Sequence, residues 1–173
     1  MDKDTEGLFQ KAKKRDPEAF MELMDMHMHG LYQTARAILH NDEDAADAIQ
    51  DTILTCWEKL KTLREERFFK TWLTRILINY CYGILRKKKA VTYLDEVPEV
   101  AAPPERSNLE WKEALESLEE EYRLVVVLYY GQGFRTKEIA EILGVTDATV
   151  RTRLTRARGQ LKKYYQEEVR RLR

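Results

Sequence analysis

The chain is poor in the residues that make tight turns. Its 173 residues include only 7 glycines and 4 prolines, which argues against a β fold with many turns between short strands. Hydrophobic residues make up 43% and charged residues 35% of the sequence, a balance typical of a soluble protein rich in helices. The length allows one domain or two small ones.

Long apolar runs and cysteines are also scarce. No run approaches the roughly 20 apolar residues of a membrane span, and no basic-then-apolar leader opens the chain, so we expect no export signal. The two cysteines, Cys56 and Cys81, lie in helix-like segments. This placement favours a reducing cytosol over a disulfide framework, and we predict a cytoplasmic protein.

The sequence contains no residue set typical of catalysis or of metal binding. It has neither a phosphate-binding glycine loop nor a nucleophile–base pair. The nearest approach to a metal motif is Met26-His27-Met28-His29, but alternating histidines fall on different sides of a helix and no nearby cysteine supports them. We therefore expect no enzyme, no cofactor, no metal and no small-molecule substrate.

Charge is strongly segregated along the chain, although 30 basic and 30 acidic residues cancel overall. Residues 61–89 carry 9 basic and 2 acidic side chains, and residues 136–173 carry 10 and 5. Residues 1–60 and 90–121 are acidic instead. Two basic blocks separated by acidic ones predict two nucleic-acid contacts and at least one other kind of partner.

Residues 136–161 have the pattern of a helix-turn-helix. Gly144 can end the first helix with a positive φ, and Thr146 can cap the second. The expected buried face of the second helix consists of Val150, Leu154, Ala157 and Leu161. The arginines and threonines of this helix lie off the buried face, and no acid occurs between Asp147 and Glu167. A solvated helix would normally mix glutamate with arginine, so we interpret this helix as one that lies in the DNA major groove.

Helical periodicity also runs through the first part of the chain. We predict two helices within residues 8–39, broken near Asp16-Pro17, and a third from Glu43 to about Leu60, capped by Asn41 or Asp42. The third helix carries a ridge that is either an ordinary solvated face or a docking surface for a basic protein. The ridge consists of Asp44, Asp47, Gln50 and Asp51.

Aromatic and basic residues are interleaved over a loop at residues 63–69 and a predicted helix from about Lys70 to Lys89. Rings among cations suit melted DNA, because bases stack on rings while lysine and arginine contact phosphates. Trp72 taken alone is better explained as a core residue. The polar and basic residues of this helix are Arg75, Asn79, Tyr82 and the run Arg86-Lys87-Lys88-Lys89.

An acidic segment interrupted by three prolines separates the two halves of the chain. Such a segment should not form a helix, so we assign residues 91–110 to a linker, residues 1–90 to one domain and residues 111–173 to another. Helical periodicity resumes from Trp111 to Tyr130, and Gly131-Gln132-Gly133 breaks it. The predicted fold class is all-α, with two small helical domains.

Three segments in this order resemble the extracytoplasmic-function (ECF) group of bacterial RNA polymerase sigma factors. Residues 42–53, DEDAADAIQDTI, resemble the polymerase-binding helix of that family. Residues 69–79, FKTWLTRILIN, resemble its promoter-melting stretch, and residues 144–161 its reader of the minus-thirty-five element. The resemblance implies a sigma region 2 domain at 1–90 and a sigma region 4 domain at 111–173. It also implies a protein that binds core RNA polymerase and directs promoter-specific initiation without bond chemistry of its own.

The resemblance implies roles for individual residues. Docking on the coiled-coil clamp of the largest polymerase subunits would involve Asp44, Asp47, Gln50, Asp51 and Trp57. The loop at 63–69 would capture a base flipped from the minus-ten element, and contacts with this element and the melted strand would come from Arg67, Phe68, Phe69, Trp72, Arg75, Asn79, Arg86, Lys87 and Lys88. Base contacts in the minus-thirty-five element would come from Thr155 and Arg156. Contacts mainly with phosphate would come from Arg151, Thr152, Arg153 and Arg158.

Two positions depart from the family pattern. Gly83 stands where the family often carries an acid, and glycine inside a helix costs about 1 kcal/mol relative to alanine, so we expect a bend or early fraying there. Thr155 is smaller than the residue of some relatives, which leaves its base preference open. The resemblance further implies promoter DNA, both double-stranded and melted, as a partner. It also implies an anti-sigma factor that is often membrane-bound and would hold the chain at the inner face of the membrane.

Two other functions remain open on the sequence. A free-standing helix-turn-helix regulator would bind duplex DNA without polymerase, and it would need neither the second basic block nor the aromatic loop. A helical interaction protein whose basic faces only aid solubility would show no salt-dependent DNA affinity. Changing Arg151 and Arg156 to glutamate would leave the activity of such a protein untouched.

Overall fold

The computed structural model describes residues 3–91 and 109–171, and the regular structure within these ranges is helical. The helices are α1 (Lys3–Lys13), α2 (Pro17–Leu39), α3 (Asp42–Lys59), α4 (Phe69–Val91), α5 (Leu109–Glu116), α6 (Glu120–Val126), α7 (Thr136–Leu143) and α8 (Asp147–Arg171). The chain divides into two compact units, Met1–Tyr93 and Leu94–Arg173. The predicted all-α fold class is confirmed; most of the predicted linker, residues 91–110, lies outside the described residues.

The first unit is built around α2, which packs against α1, α3 and α4. Its caps follow the sequence prediction. The Asp16 carboxylate accepts the Ala19 N–H at 3.1 Å with Pro17 in the first turn, and the Asn41 side chain accepts the Asp44 N–H at 2.8 Å at the start of α3. The largest fully buried side chains of this unit are Phe9, Leu23, Met24, Ile38, Leu60, Leu73 and Leu77.

Both cysteines belong to the core of the first unit. Cys56 on α3 and Cys81 on α4 are free and fully buried. Burial raises the pKa of each thiol to about 12. Both side chains therefore stay protonated at neutral pH and act as small apolar core residues.

Helix α4 runs without interruption through Gly83 to Val91, so the early fraying expected at Gly83 is absent. A Cβ added at Gly83 would meet Arg86 Nη2 at 3.9 Å, an ordinary van der Waals contact. Alanine would therefore fit without displacing a neighbour.

We expect Gly83→Ala to raise the free energy of unfolding by about 0.5–1 kcal/mol, because alanine restricts the unfolded chain more than glycine does. Urea denaturation followed by circular dichroism measures the change. Gly144→Ala is the contrasting variant: Gly144 has a φ of +66°, so alanine there should destabilise the protein. An unchanged or lower stability of Gly83→Ala would contradict the expectation.

The second unit contains the predicted helix-turn-helix, formed by α7 and α8 and backed by α6. Gly144 ends α7 in the left-handed conformation, with its N–H bonded to the Ala140 carbonyl. Thr146 Oγ1 accepts the Thr149 N–H at 3.1 Å where α8 begins. The buried face of α8 includes Val150, Leu154 and Ala157, whereas Leu161 is half-buried. The glycine turn and the threonine cap are confirmed.

The helical periodicity from Trp111 to Tyr130 does not correspond to one continuous helix. The structure has a break between α5 and α6, and a π-helical turn at Val127–Gly131. At the break, the Ser117 hydroxyl donates to the Ala114 carbonyl at 2.7 Å, and Leu118 is only 3% exposed. Serine side chains compete with the helix for backbone partners in this way, and burial of Leu118 in the core stabilises the break.

Candidate nucleic-acid and polymerase interfaces

One face of α4 gathers polar residues predicted to contact the minus-ten element. Arg75, Asn79 and Arg86 are exposed, and their spacing of four and then seven residues places them on one side of the helix. Leu73 and Leu77 on the same helix are buried. The apolar residues thus fix α4 in the first unit while the polar row faces solvent.

The basic run at the end of α4 does not face one direction. Lys87 is exposed, whereas Lys88 Nζ lies 2.6 Å from Asp44 Oδ2 on α3. The Asp44 side chain is only 13% exposed, and its Oδ2 also accepts the Asn41 amide at 2.6 Å. One predicted DNA contact and one predicted polymerase contact are therefore joined in a bridge between α3 and α4.

The loop before α4 exposes one of its two phenylalanine rings. Phe68 is 45% exposed, and the Arg67 guanidinium lies 4.7 Å from its ring centroid. Phe69 is 2% exposed, with its ring 5.8 Å from that of Phe9 in an edge-on contact. The structure places Phe69 in the core, where burial denies a base access to its ring. Phe68 is the more exposed of the two rings.

Trp72 and His27 flank the buried Phe69 ring, with centroid distances of 6.2 and 5.3 Å. Trp72 is half-buried, whereas the sequence predicts a core position for it. Part of its ring is therefore accessible to solvent. Burial, and then the charge of Lys70, lower the pKa of His27. Within residues 3–91 and 109–171, no three His, Cys, Asp or Glu side chains are arranged to hold a metal ion.

The acidic ridge of α3 is open over part of its predicted length. Asp47, Gln50 and Asp51 are exposed, and Leu54, one turn further, is 56% exposed. Leu54 could not be identified as part of this surface from the sequence, because periodicity alone does not distinguish an exposed leucine from a core leucine. These four residues form a continuous polar and apolar strip along one helix.

Trp57 is engaged inside the first unit. Its ring lies 4.8 Å from that of Phe20, and the Arg15 guanidinium lies 5.0 Å from the Trp57 ring. Trp57 is half-buried as a result. It holds α3 against α2 and the α1–α2 corner, and only part of its surface remains for a partner.

The outer face of α8 carries the residues predicted to contact the minus-thirty-five element. Arg151, Thr152, Thr155, Arg156 and Arg158 are all exposed. The Thr152 and Thr155 hydroxyls donate to the carbonyls four residues earlier, each at 3.0 Å. The hydroxyl protons are therefore used within the helix, and the methyl groups and oxygen lone pairs are what the threonines can offer a ligand.

Two of the α8 arginines predicted to contact DNA pair with acids. Arg151 Nε donates to Asp147 Oδ2 at 2.9 Å, and this bond is the first cause of the lowered pKa of Asp147. Arg153 Nη2 lies 2.7 Å from Glu121 Oε2 on α6, and its side chain is only 24% exposed. The structure thus turns Arg153 towards α6 rather than outwards with the other arginines.

Two other arginines of α8 contact tyrosine hydroxyls. Arg156 Nη1 lies 3.4 Å from the Tyr122 hydroxyl. Arg158 Nε donates to the Tyr130 hydroxyl at 2.8 Å, and its guanidinium lies 5.8 Å from the Tyr130 ring centroid. Neither contact could be predicted from the sequence, because 34 and 28 residues separate the two pairs and local spacing carries no signal at that range.

Comparison with known proteins identifies the family. The family model described as Sigma-70 region 2 matches residues 23–91, and the one described as Sigma-70, region 4 matches residues 108–161. The chain is 30% identical over 172 residues to the ECF RNA polymerase sigma factor SigW of Bacillus subtilis, covering 88% of this chain and 92% of SigW. This chain belongs to the ECF RNA polymerase sigma factors. The sigma factor is also 34% identical over 150 residues to SigM of Mycobacterium tuberculosis, covering 84% of this chain and 76% of SigM.

Two solved structures resemble this sigma factor. The sigma factor RpoE from Bartonella quintana, solved with the anti-sigma factor NepR, gives a TM-score of 0.75 at 26% identity, covering 85% of this chain and 96% of RpoE. CnrH, solved with the cytosolic domain of CnrY, gives a TM-score of 0.72 at 26% identity, covering 95% of this chain and 98% of the solved CnrH chain.

The predicted function is confirmed at the level of the family: the chain is an alternative sigma factor that acts with core RNA polymerase and promoter DNA to direct transcription initiation. The free-standing regulator is not favoured. Sigma factors are regulatory and not catalytic, which agrees with the expectation that the chain is not an enzyme. No helix in the described ranges combines the length and the apolar character needed to cross a membrane.

Proposed function

We propose that this sigma factor uses three separate surfaces, each on a different helix, for polymerase, the minus-ten element and the minus-thirty-five element. The proposal is supported by the exposure, on α3, α4 and α8, of most of the positions that the resemblance marks as functional. The proposed domains are those of the sequence analysis: residues 1–90 and 111–173, joined by the linker 91–110.

The proposed polymerase surface is the exposed part of the α3 ridge: Asp47, Gln50, Asp51 and Leu54. Short acidic side chains on a rigid helix suit a basic partner, because they steer association and fix its register. Leu54 adds an apolar contact beside the acids. Asp44 and Trp57 support this surface from below, through the bridge to Lys88 and the contact with Phe20.

The proposed minus-ten surface joins the loop before α4 to the polar row of α4. Phe68 would offer an unstacked base the part of its ring that Arg67 does not cover, and Arg67, whose Nε lies 2.7 Å from Glu65 Oε2, would supply a cation beside it. Removing a base from the stack costs a few kcal/mol, and phosphate contacts along the row would offset that cost. The row is formed by Arg75, Asn79 and Arg86, with Trp72 at its start and the exposed Lys87 next to its end. Lys88 reaches phosphate only if its bridge to Asp44 opens.

The proposed minus-thirty-five surface is the outer face of α8. Arg156 would donate to a base edge, as arginine does to guanine, and the Thr155 methyl group would contact a thymine methyl. Arg151, Thr152 and Arg158 would contact phosphate and set affinity and salt dependence. Arg153, paired with Glu121, would strengthen the attachment of α8 to α6 more than it contacts DNA.

An anti-sigma factor is the proposed regulator of these surfaces. The solved RpoE is bound to the anti-sigma factor NepR, and the solved CnrH to the cytosolic domain of CnrY. We extend such a partner to this chain, which would act in the cytoplasm and be held at the inner face of the membrane where its anti-sigma factor is membrane-bound. The chain would carry out no bond chemistry in any of these states.

One variant on each of the two DNA surfaces tests the assignment in the reconstituted holoenzyme. Phe68→Ala should lower the fraction of open promoter complexes, detected by permanganate footprinting, and leave core affinity unchanged. Arg158→Gln should weaken promoter binding at every sequence and reduce the slope of log affinity against log salt by about 1. Lys163→Gln, exposed further along α8, is the matched control. A folded Phe68→Ala variant that loses core affinity as well would contradict the separation of surfaces.

A further inference from the structure

Helix α1 contacts the loop that carries Arg67 and Phe68 at both of its ends. At the first end, Lys13 Nζ donates to the Leu63 carbonyl at 2.6 Å, across 50 residues of sequence. At the second end, the Phe69 ring packs edge-on against the fully buried Phe9 ring. Lys13 Nζ also lies 5.4 Å from the Phe9 ring centroid. The two α1 residues that hold the loop therefore contact each other.

The corner between α1 and α2 fixes the point from which the loop departs. Arg15 donates to the carbonyls of Trp57 and Glu58, at 2.5 and 3.2 Å, in the last turn of α3. Carbonyls in the last turn have no partner within their own helix, so Arg15 supplies one. Arg15 has a φ of 72°, a left-handed conformation that is unfavourable for a non-glycine residue and is maintained by contacts of this kind.

The middle of the loop also lies close to α1. Glu66 belongs to the 3-10 turn Glu66–Phe68, and its Oε1 atom is buried. Burial raises the pKa of Glu66, and the charge of Glu6 on α1 raises it further. The loop is thus in contact with α1 at its ends and within electrostatic range of α1 at its centre.

We propose that α1 positions this loop for promoter melting, with Lys13 as the residue that fixes where the loop begins. The sigma region 2 family model matches from residue 23 onwards, so α1 lies outside the matched segment. The inference rests on the proposed function of the loop, the capture of a minus-ten base. It adds a second group of residues, remote in sequence, on which the capture depends.

The physical reason is the entropy of the loop. A ring that captures a base must already be close to its bound position, because ordering it during binding reduces the affinity. The Lys13 bond fixes the backbone at Leu63, five residues before Phe68. Without that bond, Phe68 samples more positions, and the open complex forms less often while polymerase docking on α3 is unaffected.

Three variants of α1 test the inference in the holoenzyme, on a promoter and its single-base substitutions across the minus-ten element. Lys13→Met keeps most of the side-chain stem and removes the donor. We expect about a fivefold loss of open complex on the preferred promoter, the effect of one hydrogen bond, together with weaker base preference at one position. Lys13→Arg restores a donor and should rescue both. Lys11→Met, on an exposed residue of the same helix, should change neither.

The thermal unfolding midpoint of each variant is measured first. All assays are run well below the lowest midpoint, so that global unfolding does not contribute to the loss of open complex. If Lys13→Met is too unstable for this, Lys13→Gln, whose shorter amide falls short of the Leu63 carbonyl, replaces it. An unchanged base preference in the folded Lys13 variant, or the same loss in Lys11→Met, would overturn the inference.

Phe68→Ala in the same assay distinguishes the positioning role of α1 from the capture of a base by the loop. If Phe68→Ala alters the preference at one position and Lys13→Met does not, the loop captures a base and α1 has no positioning role. If Phe68→Ala alters no position, the assignment of the loop itself fails, and the positioning role of α1 fails with it.

Discussion

Reversing the charges of Asp47 and Asp51 together, to lysine, should reduce the affinity of this sigma factor for core polymerase by at least about 100-fold. Close charge pairs across an interface couple by about 1.5–7 kcal/mol, and the reversal replaces attraction with repulsion. Both carboxylates are exposed on α3, and the cap and the bridge at the start of the helix use Asp44 instead. The fold should therefore be unaffected.

Fluorescence anisotropy of the labelled sigma factor, titrated with core polymerase, measures this affinity, and circular dichroism checks the fold. Glu22→Lys combined with Asp25→Lys is the matched control, because these exposed acids on α2 give the same change in net charge. Core affinity that is unchanged in the Asp47 and Asp51 variant, or equally lost in the control, would rule out the ridge as the docking surface.

Arg156→Ala should relax the base preference at one position of the minus-thirty-five element, at a cost of about 1–3 kcal/mol on the preferred base pair. Arg156 is exposed on α8, and the Tyr122 hydroxyl lies 3.4 Å from its Nη1. A guanidinium partly oriented by a neighbour loses less freedom when it binds a base edge. Holoenzyme binding to promoters that vary at each position of the element measures the effect.

Arg158→Ala is the comparison for Arg156→Ala. Arg158 is exposed on the same helix, and its guanidinium is held by Tyr130, but its proposed contact is with phosphate. The Arg158→Ala variant is therefore expected to differ from Arg156→Ala. It should weaken all sequences alike and reduce the salt dependence of binding. A loss that Arg156→Ala spreads evenly over all sequences would make Arg156 a phosphate contact and leave the base readout to other residues.

Helix ends could be predicted from the sequence because the residues that cap a helix lie next to it in the chain. Asp16, Asn41 and Thr146 each accept an N–H three residues later, and Gly144 takes the left-handed conformation. The same local chemistry could not reveal the break at Ser117. The apolar spacing of Leu115, Leu118 and Tyr122 continues across that break as if the helix were intact.

The candidate sites could be placed on the right helices, but not resolved residue by residue. Phe68 and Phe69 are equivalent in the sequence, and contact with α1 determines which ring is buried. Asp44 and Asp47 are equally acidic, and the approach of Lys88 from α4 distinguishes them. Such differences arise from tertiary packing between distant segments, which local periodicity does not contain.

Run-off transcription with bacterial core polymerase, with and without this protein, over a randomised promoter library is the decisive test of whether the chain directs promoter-specific initiation. We expect transcripts only when the protein is present, from promoters that share two spaced upstream motifs. Failure of the protein to bind core polymerase, together with tight and specific binding to duplex DNA by the protein alone, would contradict this expectation and identify a free-standing regulator.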